Sequence, residues 1–155
     1  MDSIFSVIVG GAITIVSVIV ERKISDWSDK KSKLELSKKI LTDLVIDIEK
    51  QLAKTETVIS EVNTISLKPL EKLKDLIDDY FQEKIHIYSI ENSDARNKIH
   101  TFFNEFEETF LENAFKEYKS ISLKDSNSID NSFVDKVRNK KKECEGIKEI
   151  ISKAK

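Results

Sequence analysis

The side chains from which chemistry could be built are few: the 155-residue chain has two histidines, His86 and His100, and one cysteine, Cys144. His100 follows Arg96 by four positions within Ala95-Arg96-Asn97-Lys98-Ile99-His100, so a cation and an imidazole share one helical face. The plainer reading is an exposed arginine beside a half-buried histidine. His86 lies amid Ile85, Ile87 and Tyr88 and reads as a core-edge histidine. Asp78-Asp79 and Glu107-Glu108 are acidic runs with no histidine paired to them, which does not make a metal site. Two histidines and one cysteine do not make a typical zinc set either. No nucleophile has a partner base within sequence reach. The sequence therefore assigns no catalytic residue, no metal ligand and no cofactor, and the chain does not read as an enzyme.

Composition bounds the elements that must position these groups. Three glycines and one proline are too few for the turns of sheet sandwiches and barrels or for the phosphate loops of nucleotide-binding folds. Charged residues make up 35% and hydrophobic ones 39%, the balance of a helical protein, and the expected fold class is all-α. A net charge of -2 argues against a dedicated nucleic-acid partner. The lone Cys144 precludes an internal disulfide and fits a reducing compartment.

The strongest signal lies at the head of the chain. Ile4 to Val20 reads IFSVIVGGAITIVSVIV, seventeen residues without a charge. At about 1.5 Å per residue this makes roughly 25 Å of helix, the short end of a bilayer span. In lipid the backbone must satisfy itself, so its many Val and Ile residues are expected to be helical there. A cleaved signal peptide is the competing reading. It lacks a basic n-region in Met1-Asp2-Ser3, and no small-x-small site precedes Glu21-Arg22-Lys23. A buried core helix or strand is the plain alternative. Residues 21–39 hold seven basic and four acidic side chains against a lone Asp2 on the other flank. The positive-inside rule then puts the carboxyl-terminal side in the cytoplasm, an orientation for a single-pass protein of the cell membrane.

Within this run Ser3, Ser6, Gly10, Thr14 and Ser17 recur at steps of three and four and share one face. Small residues at such spacing let two helices approach closely, which predicts a homo-oligomer. In a ring the hydroxyls of Ser6, Thr14 and Ser17 could line a wet pore. The alternative is that Ser, Thr and Gly are simply common in membrane helices. Past the bilayer, Arg22, Lys23, Lys30, Lys31 and Lys33 make a basic surface suited to anionic lipid, or simply a charged stalk.

No Gly or Pro occurs between Gly11 and Pro69, so the first helix is expected to continue. An apolar series follows: Val20, Ile24, Trp27, Leu34, Leu41, Val45, Ile48, Leu52, Ile59 and Val62. Lys31 and Lys38 interrupt this seam, Thr55 weakens it, and Ile40 and Leu44 broaden it. A second helix starts at Ser66-Leu67-Lys68-Pro69 with an apolar stripe reaching about Ile90. Asn92-Ser93-Asp94 breaks and recaps the chain. A third helix, about 95–123, holds five of the eight phenylalanines and is the expected core helix. Residues 124–128 form a loop, and a fourth helix begins near Asp130. The resulting layout is an anchor at 1–20, a stalk or first bundle helix at 21–65, and a cytoplasmic helical bundle at 66–155. Residues 70–118 carry six basic and twelve acidic side chains, and 136–155 eight basic and three acidic. The basic tail is expected to lie on the acidic middle, with lipid or nucleic acid as the other reading.

Taken together, this layout resembles small membrane effectors of prokaryotic antiviral systems. The closest comparison is the pore-forming helical partner of some RNA-targeting CRISPR effectors, which joins a membrane helix to a degenerate HEPN-like bundle. The likeness is architectural and rests on no diagnostic motif. HEPN ribonucleases space their Arg and His by four to six residues, whereas Arg96 and His100 have three between them. The resemblance implies membrane perturbation by an oligomer rather than ribonuclease activity. The competing function is a passive tether that presents the bundle to a soluble cytoplasmic partner protein.

Overall fold

In the computed structural model the backbone is described for residues 2–123, 129 and 131–155. Side chains are described from residue 28 onward, apart from 83–86, 123–128 and 130. Every regular element among the described residues is helical: α1 (Asp2–Val62), α2 (Leu67–Glu83), a 3-10 segment (Lys84–Ser89), α3 (Ser93–Glu105), a π segment (Phe106–Leu111), α4 (Glu112–Leu123) and α5 (Asn131–Lys153). The third expected helix is thus a continuous α–π–α run. The chain divides into two compact units, Met1–Leu36 and Ser37–Lys155. Among the described residues no helix is long and apolar enough to cross a membrane. The uncharged run Ile4–Val20, with Ser6, Gly10, Thr14 and Ser17, lies outside the residues whose side chains are described, as do Arg22 and Lys23.

The unit Ser37–Lys155 includes the last part of α1 as a full bundle member. Ser37, Leu41, Val45, Ile48, Leu52, Thr55 and Ile59 are all buried, at steps of four and three. Two of these positions are polar, Ser37 and Thr55. Thr55 is fully buried, yet its Oγ1 donates to the Gln51 carbonyl at 3.0 Å, which removes the cost of an unpaired hydroxyl. Val62 departs from the expected seam and is 65% exposed. It stands at the last helical position, one residue before the chain turns away. Asn63 makes that turn at φ 50, and its N–H donates to the Ile59 carbonyl at 3.0 Å. Asparagine is among the few side chains tolerated in the left-handed region, so it ends α1 without glycine.

Ser66 precedes α2 and Pro69 lies in its first turn, where no intrahelical N–H is needed. The α-helix ends at Glu83, short of the expected Ile90. Ile85, Ile87 and Tyr88 are weak helix formers, and the chain tightens to the 3-10 period. The Ile90 N–H donates to the Ile87 carbonyl at 3.1 Å, and both side chains are buried. Asn92 then caps α3, its Oδ1 accepting from the Ala95 N–H at 3.0 Å. The carbonyl oxygen of Lys155 accepts from the N–H groups of Glu91 and Asn92 at 2.7 and 3.3 Å, tying the end of α5 to the start of α3.

Aromatic rings fill the centre. Tyr80 of α2 stacks on Phe103 with centroids 3.6 Å apart, and Phe102, Phe106, Phe110 and Phe133 continue the series into α5. The π segment brings Leu111 and Ala114 round to the face that this series occupies. At about 100° per residue, Leu111 of a regular helix would stand roughly 130° from the middle of the Ile99/Phe102/Phe103/Phe106 face. One extra residue in a π turn takes most of that rotation back. Leu111 and Ala114 are accordingly buried, as is Phe110.

The conformation of Asn63 sets a test of how α1 ends. Asn63→Gly should leave the melting temperature unchanged or slightly higher, because glycine enters the left-handed region without strain. Asn63→Val should lower stability by about 1–2 kcal/mol in a thermal or urea melt. Equal stability of the two variants would show that the turn is held by packing alone.

Candidate functional site

The groups singled out by residue type do not converge. Ala95 and Ile99 point into the bundle, which leaves Arg96 half-buried and His100 exposed, the reverse of the expected burial. The imidazole is held by a neighbour that sequence spacing could not reveal, since His100 Nδ1 lies 3.1 Å from the hydroxyl of Tyr80, twenty residues earlier. Tyr80 is 2% exposed, and burial raises its phenol well above its ordinary value, so the hydroxyl keeps its proton and shares a hydrogen bond with the ring nitrogen in the direction the imidazole tautomer sets. The histidine thus satisfies a buried hydroxyl. Asp78 is half-buried, whereas Asp79, Glu107 and Glu108 are exposed. Among the described residues no group of His, Cys, Asp and Glu could hold a metal ion. His86 lies outside the residues whose side chains are described.

Cys144 is fully buried on α5, and burial pushes its thiol up to about 12. The thiolate that a nucleophile requires is therefore scarce at neutral pH. Lys30, Lys31 and Lys33 are exposed on α1, on the solvent-facing part expected to meet lipid headgroups.

The basic residues of α5 find partners that charge counting missed. Glu56 on α1 accepts from Lys141 Nζ at 2.7 Å and from Arg138 Nε at 2.9 Å, and Lys148 Nζ donates to Glu49 at 2.6 Å. Among the described ion pairs of α5, that of Lys140 with Glu105, at 4.0 Å, reaches the acidic middle of the chain. The basic tail thus packs against α3 and the π segment of that middle, through Lys140 over Phe102 and Phe133 on Phe110, while its shorter ion pairs go to α1. Glu49 and Glu56 are seven residues apart, so they stand on one helical face beside the buried seam, opposite α5. The signal was present in the sequence, but the pairing of α1 with α5 was needed to read it.

The surface carries several open grooves. One runs along the π segment and α4, with Leu111 and Phe115 in its floor and Lys74, Glu107, Glu112 and Lys119 at its edges. Another, between α1 and α2, sets Lys54, Lys68 and Lys72 against Glu71 and Asp75. Neither gathers groups for acid–base or nucleophilic chemistry.

The Lys141 and Arg138 hydrogen bonds hold the Glu56 carboxyl below its ordinary value of 4.5. A depressed carboxylate contributes stability that is present above its unfolded value and is lost as pH falls through the folded one. Glu56→Gln should therefore cost about 0.5–1 kcal/mol at pH 7, a modest effect because Arg138 is solvent-screened. The difference from the unaltered protein should shrink below about pH 4 in urea melts. A pH-independent difference would mean that Glu56 acts by packing rather than charge.

Compared with known proteins, the chain matches no protein-family model, no curated protein and no solved structure.

Proposed function

We propose that the protein is a single-pass membrane effector that self-associates through its first helix and perturbs or permeabilises the bilayer. The observation that carries this reading is the uncharged run Ile4–Val20 followed by the basic stretch 21–39. The helix α1 (Asp2–Val62) contains both this run and the buried seam of the compact helical unit. In this reading the bundle is cytoplasmic, Lys30, Lys31 and Lys33 with Arg22 and Lys23 meet anionic headgroups, and Ser6, Gly10, Thr14 and Ser17 form the association or pore face. The role that fits the architecture is antiviral defence in a prokaryote. A passive tether is the second reading. It is favoured by the absence of converging reactive groups among the described residues and by the open grooves of the bundle.

Deleting residues 1–20 should move the protein from the membrane pellet to the soluble fraction with its helical circular dichroism retained. A full-length protein soluble without detergent would overturn the anchor. Gly10→Leu should reduce cross-linked oligomers, whereas Val9→Leu should not. Changing Ser6, Thr14 and Ser17 together to Val should abolish dye leakage from liposomes while insertion persists, since the lumen would lose its wet face. Leakage unaffected by the triple change would remove the pore-lining role, and an absence of leakage from the unaltered protein would favour the tether.

A further inference from the structure

The unit Ser37–Lys155 has a groove between α1 and α2 that differs from the others in charge. It encloses about 400 Å³ over a floor of Ile40, Leu44, Leu76 and Tyr80. Three aspartates form its polar edge: Asp43 and Asp47 from α1, and Asp79 from α2. The remaining grooves mix signs along their edges: Lys74, Lys116 and Lys119 face glutamates in one, Lys54, Lys68 and Lys72 face acids in the second, and Lys98 faces Glu105 and Glu143 in the third. No lysine or arginine lines this aspartate-edged groove, unlike the lysine-lined groove farther along α1 and α2.

The fold leaves this edge with a net negative charge for a geometric reason. The basic residues of α5 engage Glu49 and Glu56, on a different face of α1 from Asp43. Asp47 shares its charge with Lys50 at 2.8 Å, on the solvent side of the helix. Asp43 and Asp47 are one turn apart, a like-charge pair that opposes helix formation when nothing lies between them. Ile40 and Leu44 remain only half-buried beside the fully used seam of Leu41, Val45 and Ile48. An apolar floor with an edge of single sign is the complement of a helix bearing leucine-like residues on one stripe and lysine or arginine beside it.

We propose that the α1–α2 groove docks a basic amphipathic helix of a partner protein. The apolar stripe of that helix lies on Ile40, Leu44 and Leu76, and its cations bridge to Asp43, Asp47 and Asp79. A second copy of this chain is the alternative occupant, which a measurement of oligomer size separates from a partner protein. The proposal does not depend on the anchor, because the groove belongs entirely to the unit Ser37–Lys155.

The test uses the full chain in a non-ionic detergent and a fluorescent amphipathic peptide of Leu and Lys, with a Leu and Glu peptide of the same pattern as control. Anisotropy should show binding of the lysine peptide only. Asp43→Lys with Asp79→Lys should weaken binding by about fivefold or more at low salt, with a smaller difference near 0.5 M salt. Asp43→Asn with Asp79→Asn should give an intermediate loss and guards against misfolding of the reversed variant. Glu107→Lys with Glu108→Lys, on another acidic surface, should leave the affinity unchanged. A photoreactive version of the peptide should cross-link to α1 and α2. Loss of binding in the Glu107/Glu108 variant to the same extent, no effect of the Asp43/Asp79 variants, or no binding at all would overturn the proposal. A fall in oligomer size on changing Asp43 and Asp79, without peptide binding, would assign the groove to a second copy and overturn it as well.

Discussion

Six aromatic rings running from Tyr80 of α2 through Phe103, Phe102, Phe106 and Phe110 to Phe133 of α5 leave the helices around them few alternatives. Flat side chains pack in specific tilts, and each buries a large area that a wrong register would return to water. Phe102, Phe103, Phe106 and Phe110 already share one side of a regular helix, whereas Leu111 and Ala114 would be carried away from it. The π segment Phe106–Leu111 returns these two to the core. The irregular turn is thus a consequence of the core. It also explains why the acidic residues Glu107 and Glu108 face solvent there, since the buried positions are taken by Phe106, Phe110 and Leu111.

Around this column the polar groups mostly serve to keep the bundle in register. Tyr80 places its ring in the core and brings a hydroxyl with it, and His100 supplies the partner that burial demands. The α5 helix, whose middle is rich in lysine, has too few apolar residues there to fix its position by packing alone. Its contacts with Glu49 and Glu56 set it against α1, and its last carbonyl oxygen against the start of α3. Such half-exposed ion pairs add little stability individually, yet they discriminate between neighbouring registers because like charges would meet after a shift.

This division of labour bears on function. Tyr80 and Cys144 are buried in the core, and the exposed His100 is hydrogen-bonded to the Tyr80 hydroxyl. What the surface retains is shape and charge: basic α1 residues at 30, 31 and 33, and a groove edged by Asp43, Asp47 and Asp79.

The all-helical class was legible in the sequence because scarce glycine and proline and a 3.6-residue apolar period are local properties. The seam at Leu41, Val45, Ile48, Leu52 and Ile59, the restart at Pro69, the Asn92 cap and the phenylalanine-rich core helix follow from the same local rules. The tertiary structure decided matters that depend on residues far apart. It exposed Val62 where Asn63 turns the chain, shortened α2 before Ile87, inserted a π turn, and gave the basic tail ion-pair partners on α1 while it packs on α3. It also reversed the expected burial of Arg96 and His100, because the phase of α3 is set by Ala95 and Ile99 in the core. Periodicity fixes which residues share a face, but not which other helix that face meets, and the groove between α1 and α2 exists only once that pairing is made.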